Sequence, residues 1–303
     1  MSDAPAPYPD DETGFDEVLG FTIPGCHARG RVVRLGPVLD LVLSAHAYPP
    51  PMRHLLAEAL VVTAVMGSLQ KAEIGQMTMQ AQTQSGIVSL LVCDYRGGEL
   101  RGYVKFDAGR LADVGANPSL AALFGQGSLA ITFDDAETGQ RYQGIVPLEG
   151  DSLSQACESY FAQSEQVPTL LRTAIRWDGA HCVAGGLLVQ HLAEGEEGRA
   201  RLHVRMDHPE WHHVAALAGS TRHDELVDPD LSLEALVWRL FHDEPEVRVM
   251  RVAQLERGCR CTVEHYQSVL ERFPAAERID MRNETGLIMV ECEFCSKTFA
   301  IDA

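Results

Sequence analysis

Four of the eight cysteines fall within the last 45 residues and form two tight pairs. One residue separates Cys259 from Cys261, two separate Cys292 from Cys295, and thirty lie between the pairs. The segment 246–303 has fewer than sixty residues, which rarely suffice for a stable core without a disulfide or a metal. Four thiolates match the tetrahedral sulfur coordination that zinc prefers. We therefore predict that all four bind one zinc ion.

The chemistry of these cysteines also predicts a switch. Thiolates are the nucleophiles that peroxide or hypochlorous acid attacks, and each close pair can then close on itself. Two disulfides would leave no ligands, so zinc would leave and the small domain would lose the link that stabilises it. Two alternatives remain: a dithiol redox pair without metal, and unrelated loop thiols. The first pair, with one residue between its cysteines, is more closely spaced than the pairs of a generic zinc ribbon.

Composition excludes several classes of function. The formal net charge of −18 repels phosphate backbones, which disfavours nucleic acid as a partner. The N-terminal residues lack the basic start and apolar core of a secretory signal. The longest apolar stretch, 55–69, is too short to span a bilayer and contains Glu58. We expect a cytoplasmic protein without a transmembrane helix, whose cysteines are thiols rather than structural disulfides.

Residue patterns predict an α+β fold in four parts. Residues 1–12 form a flexible acidic tail, 13–192 a core domain of antiparallel strands with packed helices, 193–245 a helical linker, and 246–303 a small zinc-binding domain. The expected core elements are two short strands within 29–43 broken at Gly36-Pro37, a helix over 52–71, strands over 76–84, 87–95, 99–106, 128–134 and 141–146, a helix from Ser152 to about Gln166, and a hairpin turning at Asp178-Gly179.

The linker shows helical periodicity with one apolar side. We expect a helix over 207–218 and a second helix with Asp228 as N-cap and Pro229 at its first position. The second helix places its apolar residues on one face, and little neighbouring sequence is available to cover them: Leu233, Leu236, Val237, Leu240 and Phe241. Beyond it we expect a strand, a helix over 263–273, a further helical piece, and strands over 287–291 and 297–301.

The remaining reactive residues have ordinary interpretations. Cys26, Cys93, Cys157 and Cys182 have no close cysteine partner in sequence and are expected to be buried thiols. His208 and His212 are one helical turn apart, but the H-E-x-x-H pattern is absent, so the sequence supports no second metal site there. We find no phosphate loop and no nucleophile with a base and an orienting partner, and we expect a protein that is not an enzyme.

Together with the cysteine spacing, several segments carry a resemblance to a known family. These are ARGRVVRLGP (28–37), YQGIVPLEGDSL (142–153), SYFAQSEQVPT (159–169) and LVWRLFHDEPEVRV (236–249). The chain resembles the heat-shock protein 33 family of bacterial redox-regulated holdase chaperones over nearly its whole length. Arg260, between the first two cysteines, departs from the serine often found there. We hypothesise that Arg260 lowers the pKa of the neighbouring thiols.

The resemblance implies a function and a set of site residues. The reduced protein would bind zinc through Cys259, Cys261, Cys292 and Cys295 as an inactive monomer. Oxidation would form the disulfides Cys259–Cys261 and Cys292–Cys295, release zinc and unfold the linker. The protein would then dimerise and hold unfolding client proteins without ATP. Two rival functions are a thiol-disulfide oxidoreductase using Cys292 and Cys295, and a zinc-ribbon nucleic-acid binder, which the many glutamates around the cysteines disfavour.

Overall fold

The computed structural model describes residues 14–70, 75–136, 138–179, 181–192 and 207–302. The predicted acidic tail 1–12 and the polar segment 193–200, expected to begin the linker, lie outside the described residues. The helices are α1 Pro37–Leu43, α2 Pro50–Gly67, α3 Ala108–Ala112, α4 Leu120–Phe124, α5 Leu153–Tyr160, α6 Pro209–Gly219, α7 His223–Leu226, α8 Leu233–Phe241, α9 Val263–Leu270 and α10 Ala275–Asp280. A 3₁₀ turn spans Pro24–Cys26, and a π-helical turn, Phe161–Glu165, extends α5.

The strands form three sheets. They are β1 Glu17–Ile23, β2 Ala28–Leu35, β3 Gln76–Gln82, β4 Val88–Arg96, β5 Glu99–Phe106, β6 Ser128–Asp134, β7 Arg141–Pro147, β8 Thr169–Asp178, β9 His181–His191, β10 Arg248–Gln254, β11 Glu256–Arg257, β12 Ile288–Glu291 and β13 Thr298–Ile301. The first sheet has the order β10-β1-β2-β9-β8, the second β11-β5-β4-β3-β6-β7, and β12 pairs with β13. Among the strands that the structure describes, every pairing is antiparallel except that of β11 with β5.

Helix α2 lies between the two large sheets. It contacts β2, β8 and β9 of the first sheet and β3, β4 and β5 of the second. Thirteen of its eighteen residues are buried, as expected for a helix that is apolar all around its axis. The α+β class and the antiparallel core with packed helices are confirmed.

The linker helices cover the opposite face of the first sheet. Helices α6 and α7 contact β8 and β9, and α8 contacts β1 and β2. The apolar stripe of α8 is buried there, with the rings of Phe241 and Phe21 5.4 Å apart between centroids. The layers therefore run from linker helices to the five-stranded sheet, to α2, to the six-stranded sheet.

Two local expectations were wrong. The second half of 29–43 is helix α1 rather than a strand, because Pro37 occupies the first helical turn and the Asp16 carboxylate accepts hydrogen bonds from the N–H groups of Gly36 and Val38. Helix α8 is capped by Ser232 rather than Asp228, since the Ser232 hydroxyl accepts from the N–H of Ala235. The predicted hairpins and the strand β3 are confirmed.

The domain boundary near residue 246 stays a prediction. Strand β10 begins two residues beyond it, and pairs with β1 at the edge of the five-stranded sheet. The cysteine pairs lie after this strand, in a unit formed by α9, α10 and the hairpin β12–β13. Within the described part of the chain, no helix is long and apolar enough to cross a bilayer.

Candidate metal centre

The fold brings the four C-terminal cysteines together. Cys259 and Cys261 follow β11, and Cys292 and Cys295 occupy the turn between β12 and β13. The Cys259 sulfur lies 3.1 Å from that of Cys261 and 3.6 Å from that of Cys292. The sulfurs of Cys261 and Cys295 are 3.4 Å apart, and all four lie within 4.8 Å of one another.

Backbone hydrogen bonds shape the second pair into a metal-binding turn. The N–H groups of Cys295 and Ser296 both donate to the carbonyl of Cys292, at 3.2 and 2.8 Å. Ser296 has a φ of 55°, in the left-handed region, which turns the chain back into β13. The N–H of Cys292 donates to the carbonyl of Lys297 and closes the loop. This geometry directs both sulfurs to the same side.

The sulfur cluster fits a divalent cation. Zinc–sulfur bonds of about 2.3 Å in a tetrahedron place sulfurs about 3.8 Å apart, close to the spacing found here. Burial raises the pKa of Cys259 and Cys261. Burial also opposes ionisation of Cys292, but hydrogen bonds from the Tyr266 hydroxyl and the N–H groups of Phe294 and Cys295 lower its pKa to about 7. Four packed thiolates need a positive charge among them, which a metal ion supplies.

The unit around the cysteines has a very small core. Its buried apolar cluster consists of Leu270, Ile288 and Ile301, with Tyr266 and Phe299 partly buried against it. Helix α10 contributes no buried residue at all. A core of this size does not compensate the conformational entropy of ordering the segment. The cysteine cluster is therefore the main candidate for the group that stabilises this unit.

Arg260 reaches away from the sulfurs towards the core. Its guanidinium donates to the side-chain oxygen of Gln76 on β3 and lies 3.7 Å from the carboxylate of Glu99 on β5. These contacts support a docking role for Arg260. Its hypothesised effect on thiol pKa stays a prediction.

The second cysteine turn also docks on the core. His46 hydrogen bonds to the carbonyl of Glu293 at 2.7 Å, and the Ser296 hydroxyl donates to the carbonyl of Ala45 at 2.7 Å. The guanidinium of Arg101 lies 4.1 Å above the ring of Phe294. Residues inside and next to the Cys-x-x-Cys turn thus contact the core directly. A change in the turn would alter these contacts.

Sequence reasoning missed the residue that holds the linker most directly, Arg34 on β2. It is fully buried, and its guanidinium donates to the carbonyls of Leu226, Leu231 and Glu225 at 3.1, 2.8 and 3.3 Å. Burial lowers the pKa of Arg34 to about 10, so it remains charged at neutral pH. The one available signal was that Arg34 interrupts the apolar end of β2, between Val33 and Leu35.

Polar contacts also hold α6 and the segment after α8. His27 lies 2.9 Å from the carboxylate of Glu210, and His213 lies 2.6 Å from that of Glu244. The thiol of Cys26 donates to Glu244 at 3.3 Å. Each contact joins residues distant in sequence, which explains why local patterns gave no sign of them.

The four remaining cysteines are buried, in agreement with the prediction. Burial raises the pKa of Cys93 and Cys157 and raises that of Cys182 to about 12. Burial, together with the carboxylate of Glu244, raises the pKa of Cys26 to about 11. Thiols with such pKa values are poor nucleophiles at neutral pH, and these four lie outside the C-terminal cluster of four sulfurs that could share one metal ion.

Comparisons with known proteins give a consistent result. The model of the Hsp33 protein family matches residues 16–302. A 33 kDa chaperonin of Caulobacter vibrioides is 40% identical over 302 residues, covering 97% of each chain. One from Ectopseudomonas mendocina is 34% identical over 276 residues, covering 91% of this chain and 88% of that one. A crystal structure of the Thermotoga maritima 33 kDa chaperonin aligns with a TM-score of 0.75 over 94% of each chain, and at 20% identity it shows the shared fold.

Proposed function

Because the chain belongs to the Hsp33 family, we propose that it is a redox-regulated, ATP-independent holdase chaperone whose linker is released when the cysteine cluster is oxidised. The ion in the reduced state is zinc, bound by Cys259, Cys261, Cys292 and Cys295. Zinc is the ion that four thiolates select most readily. When bound, it stabilises the small C-terminal unit and holds the thiols ionised.

Oxidation removes the ligands in pairs. We propose the disulfides Cys259–Cys261 and Cys292–Cys295, each formed as two thiolates give two electrons to one hydrogen peroxide, which takes up two protons and leaves as two water molecules. The 3.1 Å separation of the Cys259 and Cys261 sulfurs supports the first pairing. The cross-pair distances of 3.6 and 3.4 Å are also short, so the second pairing rests on the two-residue spacing and on the family.

Loss of zinc is coupled to the linker through the chain and through contacts with the core. The C-terminal unit is joined to the core by the β11–β5 pairing, by Arg260 and by the Cys-x-x-Cys turn. Strand β10, between linker and cysteines, lies at a sheet edge and exposes most of its side chains. When the C-terminal unit unfolds, β10 keeps its pairing with β1 but is no longer followed by an ordered segment that anchors its end to the core. The linker helices then depend on their own packing alone.

The observation that carries the proposal is the apolar surface beneath the linker. The buried stripe of α8 packs against Leu19, Phe21 and Val32 on the sheet. Undocking the linker would expose both surfaces together, and apolar patches of this kind bind unfolded chains. Clients are therefore unfolding proteins recognised by apolar segments. Self-association of the same surface accounts for a dimer in the oxidised state and a monomer in the reduced state.

Three further points belong to the proposal, and they concern the two rival functions and the location. The thiol-disulfide oxidoreductase is disfavoured because Cys292 and Cys295 sit in a turn between two strands, whereas a thioredoxin-type motif starts a helix. A zinc-ribbon nucleic-acid binder is disfavoured by the net charge of −18. We also propose a cytoplasmic location, where thiols stay reduced, because all eight cysteines are free of disulfides.

Peroxide treatment of the zinc-loaded protein at raised temperature tests the function. Zinc release and suppression of citrate synthase aggregation are measured in the same samples. We expect both to rise together, and the reductant-treated protein to lose the activity again. Zinc release without suppression of aggregation would refute the chaperone function, and turnover of insulin disulfides would favour the oxidoreductase.

A further inference from the structure

Two histidines and a glutamate meet where the N-terminus of α6 docks on the core. His27 follows the 3₁₀ turn Pro24–Cys26, His191 is the last residue of β9, and Glu210 is the second residue of α6. The Glu210 carboxylate oxygen Oε2 lies 2.9 Å from His27 Nδ1 and 3.6 Å from His191 Nε2. One potential ligand atom from each residue lies within 4.8 Å of the other two.

Within the described residues, His191 makes none of the hydrogen bonds that a buried imidazole normally makes, although its Nε2 lies 3.6 Å from the Glu210 carboxylate. The residue is only 3% exposed, and among the described residues neither of its ring nitrogens has a hydrogen-bond partner. Buried polar atoms are nearly always hydrogen bonded, so this exception requires an explanation. Its Nε2 faces the same carboxylate oxygen that His27 contacts, which places an unsatisfied ring nitrogen beside two other metal-ligating groups.

The neighbouring cluster of Cys26, His213 and Glu244 is different. Its three side chains already bond to one another, at 3.3 Å for Cys26 to Glu244 and 2.6 Å for His213 to Glu244. None of its polar atoms is left buried and unsatisfied. Proximity of such groups therefore does not by itself leave a buried polar atom without a hydrogen bond. The His191 cluster contains such atoms, and the Cys26 cluster does not.

We propose that His27, His191 and Glu210 bind a second divalent transition-metal ion of the zinc class. Imidazole and carboxylate are ligands that zinc accepts, and ligand atoms about 2.0–2.1 Å from a tetrahedral ion are about 3.4 Å apart, near the distances found here. Three protein ligands leave the fourth position for water. On binding, His27 Nδ1 gives up the proton that it shares with Glu210, and the coordinated neutral imidazole carries its proton on Nε2. His208 Nδ1 accepts the N–H of Glu210 as the helix cap and is not needed as a ligand.

The ligands come from both sides of the linker–core boundary. His27 and His191 belong to the core, whereas Glu210 belongs to the linker, so a bound ion ties α6 to the core. Imidazole and carboxylate do not form disulfides, and peroxide would leave this site intact when it removes the cysteine ligands. The second ion therefore restrains linker release independently of the cysteine cluster.

Zinc titration of the reduced full-length chain, already holding one zinc at its cysteines, tests the proposal by calorimetry. We expect one further equivalent to bind, with slower amide hydrogen exchange in α6. His27→Gln and Glu210→Gln should each weaken this second binding about tenfold or more. His212→Gln is the matched control, because His212 is an exposed histidine on the same helix, and it should leave binding unchanged.

Three results would overturn the second site. The first is that no second equivalent of zinc binds. The second is that both Glu210→Gln and His27→Gln bind the second equivalent with full affinity. The third is that His212→Gln loses as much affinity as they do, which would show that zinc binds to surface histidines. Circular dichroism and retention of the first zinc verify that each variant is folded. If one of the two ligand variants does not fold, the other still tests the site. Because the experiment uses reduced protein, its failure would leave the cysteine switch untouched.

Discussion

Arg34 concentrates much of the linker docking in one side chain. Its guanidinium donates to three linker carbonyls from a fully buried position on β2. Hydrogen bonds to a charged donor contribute more than neutral ones, and removing the donor leaves the buried carbonyl of Leu226 without this partner. These three hydrogen bonds exist only in the docked state, so they stabilise docking of the linker.

Replacing Arg34 should release the linker without oxidation. In reduced, zinc-bound protein, Arg34→Met should cost about 3 kcal/mol of docking free energy, which corresponds to roughly a hundredfold increase in linker opening. Hydrogen exchange of residues 207–245 measures this opening. Arg31→Met is the control, since Arg31 lies on the same strand but donates to core carbonyls of Ser68 and Gly30. Equal exchange in the two variants would contradict the role of Arg34.

His191 gives the docked linker a pH dependence. Burial lowers its pKa, while Glu210 opposes the shift and His27 and His208 add to it. A base whose folded pKa is depressed contributes stability above its unfolded pKa of about 6.5, and this is lost as the pH falls through the folded pKa. His191→Leu should therefore lose less stability than the parent protein between about pH 7.5 and pH 5.5. Urea unfolding at both pH values measures the difference, and equal losses would contradict it.

At the level of residues, the sequence predicted that the four C-terminal cysteines lie together, but it did not predict the side-chain contacts that dock the linker on the core. Cysteine pairs are informative because two short spacings alone indicate a tetrahedral site. Arg34 and its carbonyl partners are separated by about 190 residues, and His27 and Glu210 by 183. Such pairs depend on how the sheets and linker are arranged, which no local pattern contains.

At the level of elements, helix α8 shows what the periodicity of apolar residues can and cannot predict. Its apolar face is evident from spacing alone, and all five stripe residues are buried. The surface that covers it, on β1 and β2, comes from the other end of the chain and could not be inferred. Helix α1 was mistaken for a strand because its short apolar run suits either structure, and Pro37 and the Asp16 cap decide between them.

Truncating the buried stripe of α8 should weaken docking. Phe241→Ala should cost about 3–5 kcal/mol, because a large buried ring that packs on Phe21 is removed and leaves a cavity. The reduced variant should then suppress client aggregation in part without oxidant. Trp238→Ala is the control, since Trp238 is an aromatic residue on the same helix but 65% exposed. Similar activation by both variants would show that the stripe is not what holds the linker.

Among the elements, strand β10 connects the linker to the cysteine unit. It lies between α8 and the first cysteine pair, and among the described strands its seven residues pair with one neighbour, β1. The N–H of Leu255, just beyond it, donates to the carbonyl of Asp16 at 2.6 Å. This edge position allows a disturbance of the cysteine unit to pass into the linker without disrupting the buried sheet centre.

The whole molecule combines a large core with a marginal appendage. The core cluster around α2 extends through both large sheets, whereas the cysteine unit has three buried apolar residues. Stability is therefore unevenly distributed, and the elements nearest the cysteines are those expected to open first. Sequence predicted this asymmetry from segment length and cysteine position. It could not predict that the linker forms an outer layer on the five-stranded sheet, because that depends on long-range packing.

The central claim is that the metal-bound cysteine unit keeps the linker docked. Hydrogen exchange of the zinc-loaded protein before and after peroxide treatment tests it directly, with zinc release followed in parallel. We predict that exchange in 207–245 accelerates in step with zinc release, while α2, whose buried residues are almost entirely inaccessible, stays protected. Complete zinc release with unchanged exchange across 207–245 would contradict the claim.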